Sequence, residues 1–214
     1  MIIQKVIATA FLSLVTLGIN GQNTAGELWK EMPDSIIPIL NRSIRAEAAD
    51  TAGKHDGREI KNLLGGQIEV REMSEKFMDV KLTDKSGVQL LVLGKADGSN
   101  LICMNRYYGK PTLESDISFY TADWKPACAE TDSIETAVKD FCSLAQDSLP
   151  APGGEGKNGV MYPVMAYALL SSTDGGEITL YAHAPIIVSE KTENKEDNHI
   201  VMQKSLKWDG NTFK

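Results

Sequence analysis

The chain's 214 residues suit one domain or two small ones. With 42% apolar, 24% charged and 7% aromatic residues it is neither disordered, collagen-like nor membrane-spanning in composition. A net charge of −7 argues against a nucleic-acid partner, which needs a basic face, and three cysteines are too few for a disulfide scaffold.

Lys5 is the only charged residue among residues 1–26, and the 14 residues from Val6 to Ile19 behind it are mostly apolar. A spanning helix needs roughly 20 such residues, so the pattern reads as a signal peptide, residues 1–21, cut after Gly21. No cysteine lies near the cut to accept a lipid anchor. Loss of Lys5 moves the charge from −7 to −8, and no later apolar run approaches membrane length.

In the mature chain, Thr24-Ala-Gly-Glu27 has capping-box spacing and opens a helix carrying Leu28, Trp29 and Met32. Pro33 is expected to start a second short helical turn with Ile36, Ile37, Ile39 and Leu40. Asn41 caps a third piece running to about Thr51, and residues 52–57 form a loop. From Gly66 the apolar period changes to two. Ile68 and Val70, then Met78, Val80 and Leu82, alternate with polar residues, as half-buried antiparallel strands do. Val88 to Leu93 is almost wholly apolar and predicts an interior strand. Asp97-Gly98 turns the chain into a strand from Leu101 to Tyr108, and Ile117 and Phe119 mark a fifth strand.

Asp132-Ser-Ile-Glu135 repeats the capping-box pattern. Ile134, Ala137, Val138, Phe141, Cys142 and Ala145 follow at helical spacing, which predicts an amphipathic helix over about 132–146. Residues 151–159 are a Gly-rich linker. Strands resume over 160–170, with Pro163 at an edge or bulge, and over 178–182, continuing through 186–188. After a charged excursion over 190–199, a last long strand carries Ile200, Met202, Leu206 and Trp208, and Asp209-Gly210 turns it into a stub ending at Phe213.

Strands cluster instead of alternating with helices. The fold class is therefore α+β: antiparallel β-sheet meanders, short N-terminal helices, and one amphipathic helix between two strand clusters. Residues 22–214 read as one α+β domain, with a weak tandem repeat of 24–124 and 132–214 as the alternative. Cys103 and Cys142 read as small buried apolar residues and Cys128 as an exposed loop thiol. Their odd number leaves at least one unpaired within the chain.

The chemistry-bearing residues form no recognisable constellation. His55, His183 and His199 lack zinc-motif spacing, with His183 inside a strand and His55 in a loop. The acidic segment Glu190, Glu193, Glu196 and Asp197 is interrupted by Lys191 and Lys195 and lacks calcium-loop spacing. Glu69 with Glu72, and Asp116 with Asp123, are the carboxylate pairs open to a glycosidase reading, but on alternating strands they read as a solvated face. Ser86, Ser115 and Ser118 have no base partner in sequence. Gly65-Gly66 and Gly153-Gly154 do not cradle a phosphate. No catalytic, cofactor or metal residue is therefore nominated, and no cofactor is expected. Tyr107, Tyr108, Tyr120 and Trp124 fall on adjacent strands and form the one candidate binding surface.

Met32-Pro-Asp-Ser35, Leu101-Ile-Cys-Met104 leading to Tyr108-Gly109, and Ser118-Phe-Tyr-Thr-Ala-Asp-Trp124 together carry a resemblance. They resemble a Bacteroidales-restricted family of exported proteins of unknown function, over nearly all of the mature chain. The resemblance implies a periplasmic or secreted location and supplies no active-site residues.

The expectation is a non-catalytic binding or assembly module of the cell envelope, with a protein or glycan partner. It has no nucleic-acid partner and no membrane span after signal cleavage. The alternative is a hydrolase acting on glycan or peptide through an unrecognised site.

Overall fold

The structure, a computed structural model, describes residues 23–54, 59–109, 113–149, 164–184 and 199–214. The signal peptide, His55, the 151–159 linker, Pro163, the strand continuation over 186–188 and the acidic segment up to residue 198 lie outside the described residues.

The fold is α+β. Helices α1 (Ala25–Glu31) and α2 (Arg42–Thr51) precede six strands: β1 (Ile60–Lys61), β2 (Gln67–Met73), β3 (Phe77–Thr83), β4 (Ser86–Gly94), β5 (Asn100–Tyr108) and β6 (Glu114–Thr121). Helix α3 (Cys128–Asp147) follows, then β7 (Met165–Ser171), β8 (Glu177–Ala184) and β9 (His199–Lys207). Strands β1 to β6 form one antiparallel sheet in sequence order, and β7 to β9 form a second.

The predicted caps of α1 and α2 are present. Thr24 and Glu27 bond each other's backbone amides at 2.8 and 3.2 Å, and Asn41 Oδ1 accepts from Ile44 N at 3.0 Å. The piece after Pro33 differs from expectation. It makes single hydrogen-bonded turns, Ile36 N to Pro33 O and Leu40 N to Ile37 O, and no helix. The carbonyls of Met32 and Leu40 are instead engaged by the side chain of Arg45.

The six-stranded sheet is covered on both faces, which is why β4 has no polar alternation. Val88, Leu90 and Val92 join Leu28, Trp29 and Leu40 of the N-terminal segment in one core. Leu91 and Leu93 face the other way, into a second core with Ile134 and Phe141 of α3 and Leu170, Ile178 and Leu180 of the second sheet. Full burial of each such side chain contributes about 1.5–3 kcal/mol.

Strand β7 does not pair with the large sheet; it rests on its face. Its backbone is met by side chains: Leu170 N donates to Gln89 Oε1 (2.9 Å), Asn105 Nδ2 to Ala168 O (2.8 Å) and Ala168 N to Ser115 Oγ (2.7 Å). Asn105 Nδ2 also reaches Gln89 Oε1 at 3.1 Å. Gln89 and Asn105 are both buried, at 6% and 0% exposure, so these amides serve the edge of β7 where a neighbouring strand would otherwise stand. Gln89→Leu strands the Leu170 amide and is expected to cost about 1–3 kcal/mol. Urea unfolding together with hydrogen exchange at Leu170 checks this. Unchanged exchange there would refute the role.

Helix α3 starts one turn earlier than predicted, at Cys128, with Ala127 as a cap that supplies no side-chain bond. The reason lies on β6. Phe119 N donates to Thr131 Oγ1 (3.1 Å) and Phe119 O accepts from Ala127 N (2.8 Å), so the chain entering the helix is tied to the sheet edge. The predicted box at Asp132 and Glu135 falls inside the helix. Cys128 is thus on the helix, exposed, and Cys142 is half-buried instead of buried. All three thiols are unpaired, with Cys103 in the core.

Candidate functional site

Of α3's 20 residues only Ile134, Phe141 and Ala145 are fully buried. Two clefts flank the helix at Ile134, of about 220 and 210 Å³. Ile134 lines both.

The first cleft has an aromatic wall of Phe119, Trp208 and Phe213. Trp208 and Phe213 pack at 5.2 Å between centroids, and Phe119 and Phe213 at 6.1 Å. The turn after β9 explains the pairing. Lys207 and Lys214 bond each other's backbones at 2.7 and 3.0 Å, and Trp208 bridges to Phe213. Trp208 is then fixed from two sides, by Nε1 on Gly94 O (2.7 Å) and by its amide on Gly176 O (3.0 Å). The rim carries Glu130, Ser133, Asn211 and Thr212. Glu130 is held by Lys95 at 3.1 Å.

Asp209 organises that turn. Its Oδ1 accepts from Asn211 N and Thr212 N, both at 2.9 Å, and Oδ2 meets Lys214 Nζ at 2.5 Å. Lys214 first, then the two amides, hold its carboxyl down at about 2. A carboxyl that titrates lower in the folded chain stabilises the turn fully above the ordinary carboxylate range. That support is lost as the pH falls towards 2. The Asn211 and Thr212 amide resonances are therefore expected to shift together with a midpoint near pH 2. Titration at the ordinary carboxylate value would contradict it.

The second cleft has an apolar floor of Ile117, Val138, Ala166, Ala168 and Leu180 besides Ile134, with Ser115, Asp116, Glu135, Lys139 and Tyr167 around it. Asp116 is paired with Arg106, and Glu135 lies 3.9 Å from Lys139.

The four predicted aromatic residues do not come together as one surface. Tyr107 is 8% exposed; its hydroxyl donates to Asp79 (2.9 Å) and accepts from Arg71 (3.0 Å). Burial and then Asp79 push its phenol well above the usual range. Its ring lies over Gly87, where a Cβ would come within 2.1 Å of the hydroxyl. Trp124 is 7% exposed in the opposite core. It donates to Leu28 O at 3.2 Å and packs on Tyr120 at 5.5 Å. Tyr108 is exposed at 47%.

His183 is buried, which lowers its pKa against the pull of the Leu113 carbonyl and Glu114; its Nε2 has no partner among the described residues. The side chain of His199 is not described. Glu69 lies opposite Lys81, Glu72 opposite Asp79, and Asp123 pairs with Lys125 at 2.5 Å. No group of three or more metal-ligating residues gathers among the described residues. No described helix is long and apolar enough to cross a membrane. The aromatic wall of the first cleft escaped the sequence reading, although Trp208 and Phe213 flank an Asp-Gly turn that sets them side by side.

The family described as protein of unknown function (DUF3256) matches residues 17–213. Among solved structures, the chain is similar in fold to a domain of an uncharacterized protein from Porphyromonas gingivalis W83. The TM-score is 0.58 and the identity 20%, over 88% of this chain and 95% of that one. No curated protein matches the chain.

Proposed function

The chain belongs to the DUF3256 family of proteins of unknown function, and from that premise we propose that it is a non-catalytic binding or assembly module of the cell envelope, exported through residues 1–21. The observation that carries the reading is the pair of clefts beside α3. Small-molecule and side-chain sites combine an apolar floor with a few polar groups, and both clefts have that composition. The carboxylates around them are already engaged: Glu130 with Lys95, Asp116 with Arg106, Glu135 with Lys139. Carboxylates neutralised in this way suit recognition better than general acid–base work, which asks for a group poised near the working pH. The apolar segment behind Lys5 supports export.

A pull-down from native envelope extracts tests the reading, run with the wild-type chain and with Trp208→Ala. The expected result is a reproducible protein or glycan partner held by the first and lost by the second. Identical captures, or none, would remove the support. A periplasmic protein whose N-terminus is Gln22 checks the export step.

A further inference from the structure

We propose that the cleft walled by Trp208, Phe213 and Phe119 is a carbohydrate site that takes one neutral pyranose ring of a glycan. This rests on the binding-module reading above and names the class of ligand. The first argument is the wall. Trp208 is partly buried at the cleft and its indole N–H is anchored on Gly94 O at 2.7 Å, with Phe213 packed 5.2 Å away. The anchor fixes the plane of the indole where it lines the cleft. Aromatic faces are electron-rich and attract positively polarised C–H groups. A pyranose offers such a C–H face together with a rim of hydroxyls.

The second argument is the polar rim. The Ser133 and Thr212 hydroxyls and the Asn211 side-chain amide make no hydrogen bond among the described residues, yet all three line the cleft. Hydroxyls and amides both donate and accept, as sugar hydroxyls do. The third argument is charge. Glu130 is the charged group in the lining and Lys95 neutralises it at 3.1 Å, so the cleft suits a neutral guest and still offers a carboxylate oxygen as acceptor. At about 220 Å³ the cleft has room for one ring and not for a drug-sized ligand. An apolar peptide side chain would use the wall but strip water from Ser133, Asn211 and Thr212 and return no hydrogen bonds, which is costly.

The test uses the three indole N–H signals of the 15N-labelled mature protein. Trp29 and Trp124 are buried and donate to Arg45 O and Leu28 O, so they serve as internal controls. The protein is titrated with D-glucose, D-galactose, D-mannose and N-acetylglucosamine to about 100 mM, above the millimolar Kd expected of so small a ligand. At least one sugar is expected to shift the Trp208 signal saturably while the other two stay still. Asn211→Ala, on an exposed side chain that leaves the fold intact, is expected to weaken that binding about tenfold. Trp208→Phe should retain part of it and Trp208→Ala none. A Trp208 signal unmoved by all four sugars overturns the proposal. If an acetylated Leu-Phe amide moves it instead, the cleft is a peptide site; the binding-module reading then stands and the sugar assignment falls.

Discussion

Arg45→Ala is expected to destabilise the protein by about 3–5 kcal/mol, read as a lower urea midpoint with an unchanged slope. Arg45 sits in α2 at 1% exposure. Its Nε donates to Trp29 O at 3.1 Å and its Nη1 to Asp34 Oδ1 at 2.8 Å; Nη1 also reaches Leu40 O and Nη2 reaches Met32 O. In return its own carbonyl accepts from Trp29 Nε1 at 3.1 Å. Residues 33–40 have no regular structure, and one guanidinium ties the carbonyls of Trp29 and Met32 before the segment to that of Leu40 at its end. Alanine leaves three carbonyls without that donor, each worth about 1–3 kcal/mol where no water can reach it, and opens a cavity beside Trp29. Arg45→Lys should recover only a minor part, because an ammonium cannot present the planar fork these acceptors require. Full recovery by lysine would show that charge, and not geometry, is what the segment needs. The Met32-Pro-Asp-Ser35 stretch thereby acquires a physical meaning: its first carbonyl and its carboxylate are acceptors for Arg45.

Gly176→Ala should cost about 2–5 kcal/mol, combining backbone strain with overpacking. Gly176 has φ +130°, a conformation side-chain-bearing residues rarely adopt, and an added Cβ would lie 2.4 Å from Leu93 Cδ2 and 3.4 Å from Leu91 Cδ2. Both leucines are fully buried, so neither can retreat into solvent. Gly98 is the control. Its φ is +83° but nothing stands within 4 Å of the added atom, so Gly98→Ala should cost only about 1 kcal/mol. Equal losses at the two positions would show that the conformation alone, without Leu93, sets the cost. Because Gly176 O also accepts the Trp208 amide, the Gly176 variant should move the Trp208 indole signal as well, linking core packing to the shape of the aromatic cleft.

Period-two alternation was enough to place β2 and β3, and the uninterrupted apolar run of β4 followed from its burial on both faces. These signals are local, since a strand's own side chains report which faces are covered. Arg45, Gln89 and Asn105 could not be read in that way. Their acceptors and donors lie 5 to 81 residues away, and nothing in an isolated arginine or amide says that a distant backbone needs it. The start of α3 failed for a related reason. The Asp132–Glu135 spacing is a sound local signal, but a contact between Thr131 and Phe119 on β6 overrode it. The aromatic tetrad misled because adjacent residues of one strand point to opposite faces: Tyr107 and Tyr108 are neighbours in sequence but do not share a surface. Two of the three aromatic residues in the first cleft, Trp208 and Phe213, were available from an Asp-Gly turn; Phe119 and the α3 residues arrive only through tertiary packing.

The seating of β7 on Gln89, Asn105 and Ser115 bears on the order in which the chain matures. An unpaired strand edge is a template on which another chain can grow, and it is most dangerous while folding is incomplete. The side chains that close this edge belong to β4, β5 and β6, all earlier in the chain. Because synthesis runs from the N-terminus, the first sheet can be assembled, with its amides already in place, before β7 emerges. The same contacts fix alignment. Leu170 N must find Gln89 while Ala168 O finds Asn105, so a β7 slipped by one residue would leave these amides unmatched and turn Ala168 and Leu170 out of the core. Two buried amides thus act as a seal against self-association and as a ruler for the second sheet.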